Sequence, residues 1–191
     1  MWVFLVLAVA VMLWVIAAYN GLISLKNQTV NAFKQIDVQL KRRHDLIPNL
    51  VNAVKGAMEF ERSTLEAVIQ ARNQAVKVGA GGAGPEAMKQ IGQAENALSG
   101  ALSRLLMVVE RYPELKATNN IGQLQEELTS TENRIAFARQ LYNDTATHYN
   151  TKQQQFPTRL VAGLAQAHPA DLWEIEVAAE RAVPQVDLSG R

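Results

Sequence analysis

Residues 2–25 read WVFLVLAVAVMLWVIAAYNGLISL, and how this stretch is read decides the fold. It contains no charged side chain, and every Asp, Glu, Lys and Arg of the chain lies beyond it. As a helix it measures about 36 Å at about 1.5 Å per residue, enough to cross a hydrocarbon layer about 30 Å thick with some tilt. In lipid each backbone polar group must find its partner inside the segment, which a run of this kind does only as a helix. Trp2, Trp14 and Tyr19 are aromatic residues of the type that settles at a membrane interface. A cleaved signal peptide or a buried core helix are the competing readings. The uncharged start and the absence of a small-x-small cleavage pattern after the run favour a retained anchor. Lys26, Lys34, Lys41, Arg42 and Arg43 follow the segment and none precedes it. The positive-inside rule then predicts an outside N-terminus and a cytoplasmic body.

Working outward, the remaining chain shows apolar residues at steps of three and four and no alternating β pattern, so it is expected to be all-α. Ile36, Leu40, Ile47, Val51, Val54, Met58, Leu65, Ile69, Arg72 and Val76 share one face, interrupted by Arg43 and Arg62, which predicts a single helix from Trp2 to about Val78. Pro48 cannot donate to the carbonyl of His44, and a kink is expected there. Gly79-Ala-Gly-Gly-Ala-Gly-Pro85 should end that helix with left-handed glycines and open the next. The second helix, Pro85 to Arg111, carries Ile91, Leu98, Leu102, Leu105 and Val109 on a stripe. Asn120 and Gln123 resemble a capping box.

In the third helix Ile121, Leu124, Leu128, Thr131, Ile135, Ala138, Tyr142, Thr145, Tyr149, Lys152 and Phe156 alternate between steps of three and four. That is a heptad seam of five repeats. The predicted architecture is a membrane helix (1–25) continuous with a long antiparallel three- or four-helix, coiled-coil-like bundle (26–157), then a short helix and tail (158–191). A fourth helix would come from Leu160 to Ala167 or from Asp171 to Arg181.

Composition narrows function by exclusion. The 191 residues hold 19 basic and 18 acidic side chains and only 6% aromatics, a poor basis for binding nucleic acid. Without cysteine there is no disulfide, thiolate metal site or cysteine nucleophile. Gly79-x-Gly81-x-x-Gly84 matches a dinucleotide fingerprint formally, but it follows a helix and no parallel sheet surrounds it. His44-Asp45 has the look of a metal-dependent phosphohydrolase dyad. His148 and His168 lie too far away in sequence to complete it on one helix face. Asp45 is expected to bond nearby backbone or an arginine, with His44 in the bundle seam. Lys41, Arg42 and Arg43 stand about 28 Å from the membrane exit on a perpendicular rod, beyond a Debye length of about 8 Å, so pairing with Glu126, Glu127 or Glu132 is expected instead. No catalytic, cofactor-binding or metal residue is assigned, and no cofactor or small-molecule substrate is expected.

Several segments together resemble the LemA family of bacterial membrane proteins. They are Tyr19-Asn20, Gln35-Ile-Asp-Val-Gln-Leu-Lys-Arg-Arg-His-Asp-Leu-Ile-Pro-Asn-Leu50, Glu110-Arg-Tyr-Pro-Glu-Leu-Lys116, Leu124-Gln-Glu-Glu-Leu128, Thr131-Glu-Asn-Arg-Ile135, Ala138-Arg139, Tyr142-Asn143, Tyr149-Asn150, Phe156-Pro157 and Val183-Pro184. Departures fall in the glycine-rich turn and in residues 166–173. The resemblance implies one amino-terminal membrane helix in the bacterial cytoplasmic membrane, a long-helix bundle, no established catalytic residue, and links to membrane organisation and membrane-bound peptidase systems. The expected function is a non-enzymatic membrane-anchored scaffold that forms a homo-oligomer and organises the lipid bilayer. The alternative is an adaptor for a membrane protein partner such as a peptidase.

Overall fold

A computed structural model describes residues 1–56, 61–81, 85–113 and 119–173. Among them are five helices and no strand: α1 Trp2–Lys55, α2 Arg62–Gly79, α3 Pro85–Val109, α4 Asn119–Gln154 and the short α5 Arg159–Ala162. The apolar segment and the start of the body form one uninterrupted helix, α1, which also runs through Pro48. Residues 1–14 are exposed, and this is the one described helix long and apolar enough to cross a membrane.

The expected rod to Val78 is not formed. α1 ends at Lys55, and α2 folds back along it, because Arg72 donates from Nε to the carbonyl oxygen of His44 at 3.2 Å. In one continuous helix those two residues would stand about 42 Å apart. The reversal resets the helical phase, so the face read across both segments fails in α2. Val68 and Ala75 are buried there, while Ile69 and Val76 are exposed. The seam of α2 is Leu65, Val68 and Ala75, with Val78 packed against the core. α2 also ends without a left-handed residue at its C-cap, since Ala80 is right-handed. α4 starts at Asn119, which leaves Asn120 inside its first turn rather than capping it.

α1, α2, α3 and α4 thus run alternately away from and towards the apolar end, an antiparallel bundle in which α1 pairs with α4 and α2 with α3. The distal core holds Leu50, Val54, Val68, Leu98, Leu105 and Ile121. The proximal core holds Ile36, Leu40, Met88, Ile91, Ile135 and Tyr142. The strict heptad of α4 holds as far as Tyr142 and then slips. Ala146 and Gln153 are buried where Thr145 and Lys152 were expected, and Lys152 and Phe156 are exposed. A straight helix drifts about 20° per heptad from a 3.5 repeat, and one extra step of four restores the seam.

No fourth helix spans Leu160 to Ala167. Helix α5 stops at Ala162, and the chain turns with Gln166 at φ 44° while the amide of Ala167 donates to the carbonyl of Ala162 and that of Gln166 to Gly163. This is a Schellman ending with glutamine in the place usually held by glycine. Residues 167–173 then run as a non-helical strap back along α4, and Trp173 is buried in the proximal core. Residues 174–181, the rest of the other candidate helix, lie outside the described residues.

Candidate functional site

Two polar constellations stand out, one inside the bundle and one under the strap. The first is built on three helices. Arg43 and His44 are consecutive on α1, yet both are buried, Arg43 to 3% exposure and His44 to 8%. Both reach Glu95 on α3, which is 1% exposed: its Oε1 lies 2.7 Å from His44 Nε2 and its Oε2 accepts from Arg43 Nη1 at 3.3 Å. Arg43 Nη2 donates to Ser99 Oγ at 2.7 Å and lies 3.1 Å from Glu132 Oε2 on α4. The guanidinium fork thereby ties α1, α3 and α4 at one level, using the fixed divergence of its donors. The carbonyl of His44, which Pro48 leaves without its helical donor, is the one that Arg72 of α2 engages. All four long helices converge on two consecutive residues.

The expected pairing of the basic triplet with the α4 glutamates is found for Arg43 with Glu132, and Arg42 lies 3.9 Å from Glu127. Asp45 does otherwise than expected. It pairs with Lys41 at 2.7 Å on the surface, and that ammonium holds its carboxyl below the usual range. His148 and His168 are exposed and are not brought to His44. Among the described residues no group of three metal-ligating side chains gathers anywhere. Of the glycine fingerprint, Gly79 and Gly81 close α2, and Gly84 lies outside the described residues. Both oxygens of Glu95 are already engaged, one by Arg43 and one by His44, and what the arrangement does is fix the mutual register of the helices.

Glu95 and Ser99 went unnoticed in the sequence, although a signal was present. Ile91, Glu95, Leu98, Leu102, Leu105 and Val109 form an unbroken progression of fours and threes, with a carboxylate at a core position. A buried acid demands a cation, and the adjacent Arg43 interrupts the α1 stripe in the same way.

The second constellation explains two repeated dipeptides. Asn143 and Asn150, seven residues apart on α4, each use the side-chain amide as a strand would. Asn150 accepts from the amide of Ala170 at 2.8 Å and donates to its carbonyl at 2.7 Å. Asn143 does the same for Trp173, at 2.8 and 3.0 Å. Seven helical residues rise about 10.5 Å and three extended residues about 10 Å, so the two spacings match. Tyr142 donates its hydroxyl to the carbonyl of Asp171 at 2.6 Å, and Arg139 lies over the Trp173 ring, 4.5 Å from its centroid. Burial, with the Asp171 carboxylate adding to it, pushes the Tyr142 hydroxyl up to about 12. Burial also raises Tyr149, whose hydroxyl has no partner.

The chain is 27% identical over 163 residues to the magnetosome proteins MamQ 1 and MamQ 2 of Paramagnetospirillum magneticum, a match over 75% of this chain and 60% of each relative. It is also 27% identical over 187 residues to protein LemA of Metamycoplasma hominis, over 97% of this chain and 80% of that one. The chain therefore spans about 60% of the length of the magnetosome relatives it matches. The family model described as the LemA family matches residues 32–188, a range that takes in the Arg43, His44 and Glu95 network and both asparagine clamps: the chain belongs to the LemA family.

Proposed function

We propose that this protein is a non-enzymatic scaffold, held by α1 in the bacterial cytoplasmic membrane with its body on the cytoplasmic side, where copies associate laterally and organise the bilayer. The LemA family is a family of membrane proteins, and α1 begins with an exposed apolar segment long enough to span. The observation that carries the reading is an open groove of about 750 Å³ between α1 and α4, lined by Gln35, Gln39, Arg134, Phe137 and Leu141 among others. Phe137 is 70% exposed at its edge, and the side-chain oxygen of Gln39 is shielded from water without a partner. Anchored copies share one plane and one orientation. The groove of each then stands at the same height as that of its neighbour, and Phe137 and Leu141 meet their counterparts. The relatives' names, MamQ and LemA, do not name a reaction.

The test is the size distribution of the full chain extracted with its native lipid in polymer discs. Particles holding several copies, reduced to single copies by Phe137→Glu, support the reading. Single copies of the unaltered chain overturn it, and a constant second polypeptide in the discs favours the adaptor role instead.

A further inference from the structure

The antiparallel register of α1 and α4 has a consequence at the apolar end of the molecule. Arg43 meets Glu132, and the Phe33 and Tyr142 rings touch edge to face with centroids 6.1 Å apart. Carried down the pair, the same register sets Gln153 beside Leu22, and both are buried, at 6% and 1% exposure. α5 follows directly and packs on α1 and α4. Shielding of α1 accordingly reaches below the first charged residue, Lys26. Val15, Ala18, Leu22, Leu25 and Thr29 are all partly or fully buried, in steps of three and four.

This conflicts with a bundle standing clear of the membrane. The unshielded part of α1, Trp2 to Trp14, is about 20 Å long, whereas the hydrocarbon layer is about 30 Å. A span of about 20 residues reaches Gly21, so the turn that carries α5 lies at the depth of the lipid boundary. Its side chains suit that place. Thr158, Val161 and Ala165 face the protein and are buried, while Phe156, Leu160 and Leu164, four residues apart in turn, are 81%, 68% and 73% exposed. Lys152 and Arg159 are exposed alongside.

We propose that the α4–α5 turn is a second membrane contact, with Phe156, Leu160 and Leu164 inserted into the interfacial region of the same leaflet that α1 leaves. The inference rests on α1 spanning the bilayer. Apolar side chains on one face of a helical turn, with cations beside them, are the pattern of a segment lying in the interface. Two contacts on one rigid body fix the tilt of the bundle, which a single helix leaves free to rotate.

Absence of cysteine makes a site-by-site test direct. Spin labels on Phe4→Cys, Leu160→Cys and Met107→Cys, one at a time, are read by power saturation in the full chain reconstituted in phosphatidylcholine–phosphatidylglycerol vesicles. The expected result is oxygen contact exceeding contact with a water-soluble nickel complex at positions 4 and 160, and the reverse at 107. Label 160 behaving as label 107 does, with label 4 in lipid, overturns the second contact and leaves the anchor intact. Label 4 in water overturns both. Label 160 shielded from both reagents, with broadening that fades on dilution with unlabelled chain, assigns the face to a second copy and also overturns the proposal.

Discussion

Glu95, at 1% exposure, holds Arg43 and His44 side by side in the bundle interior, and its removal should be felt throughout the bundle. Glu95→Ala leaves Arg43 and His44 buried against a void, with Glu132, itself half-exposed, as the remaining carboxylate. Truncating one partner of a buried ion pair costs about 3–5 kcal/mol, and the thermal unfolding midpoint of the full chain in micelles, followed by helical circular dichroism, should fall accordingly. Glu132→Ala should cost much less, because water reaches that carboxylate. Equal losses from the two substitutions would contradict a network centred on Glu95. The sequence displayed half of this arrangement. Arg43 could be matched to the α4 glutamates from charge alone, whereas Glu95 was hidden because a stripe search counts apolar residues and passes over a charge occupying a core position. Arg72 was visible on the predicted face but its partner was not, because that partner is a backbone carbonyl which only the reversal after Lys55 brings within reach.

At the scale of elements, the strap does the work of a missing helix. α2 and α3 stop short of the apolar end, and Trp173 and Ala170 cover the proximal core that α1 and α4 leave open. Part of its hold on α4 is the hydrogen bond that the Tyr142 hydroxyl donates to Asp171, so it should loosen in alkali. The folded state raises this group from its usual 10 to about 12, which means that the neutral form is favoured on folding. That contribution is complete below pH 10 and is lost as pH rises through 12. With Trp2 and Trp14 replaced by Phe, the emission of Trp173 should shift to the red across this window, and Tyr142→Phe should remove the transition. An unchanged transition in Tyr142→Phe would assign it to another group. Helix types and the α3 stripe could be read from periodicity alone. The register of α2 could not, because the sequence between α1 and α2, residues 56–61, carries no proline and only one glycine, Gly56, so the stripe is continuous by pattern. Nor could the strap be foreseen, since asparagines that bind backbone leave no hydrophobic period.

For the whole molecule, the apolar first turns of α1, the groove beside Phe137 and the α4–α5 turn are the three surfaces on which the proposed membrane orientation and lateral association rest. The long apolar start of α1 was legible in composition and the groove was not, because Phe137 falls outside the α4 seam and reads as a stray apolar residue. Lateral association requires that this flank meet another copy where the protein works. The direct measurement is disulfide cross-linking of Phe137→Cys in intact native membranes, against Met107→Cys, which is 60% exposed on α3 and outside the groove. Position 137 should give a band at twice the chain mass with high yield while position 107 gives little. Equal yields at the two positions, or no same-chain product at 137, would contradict lateral association.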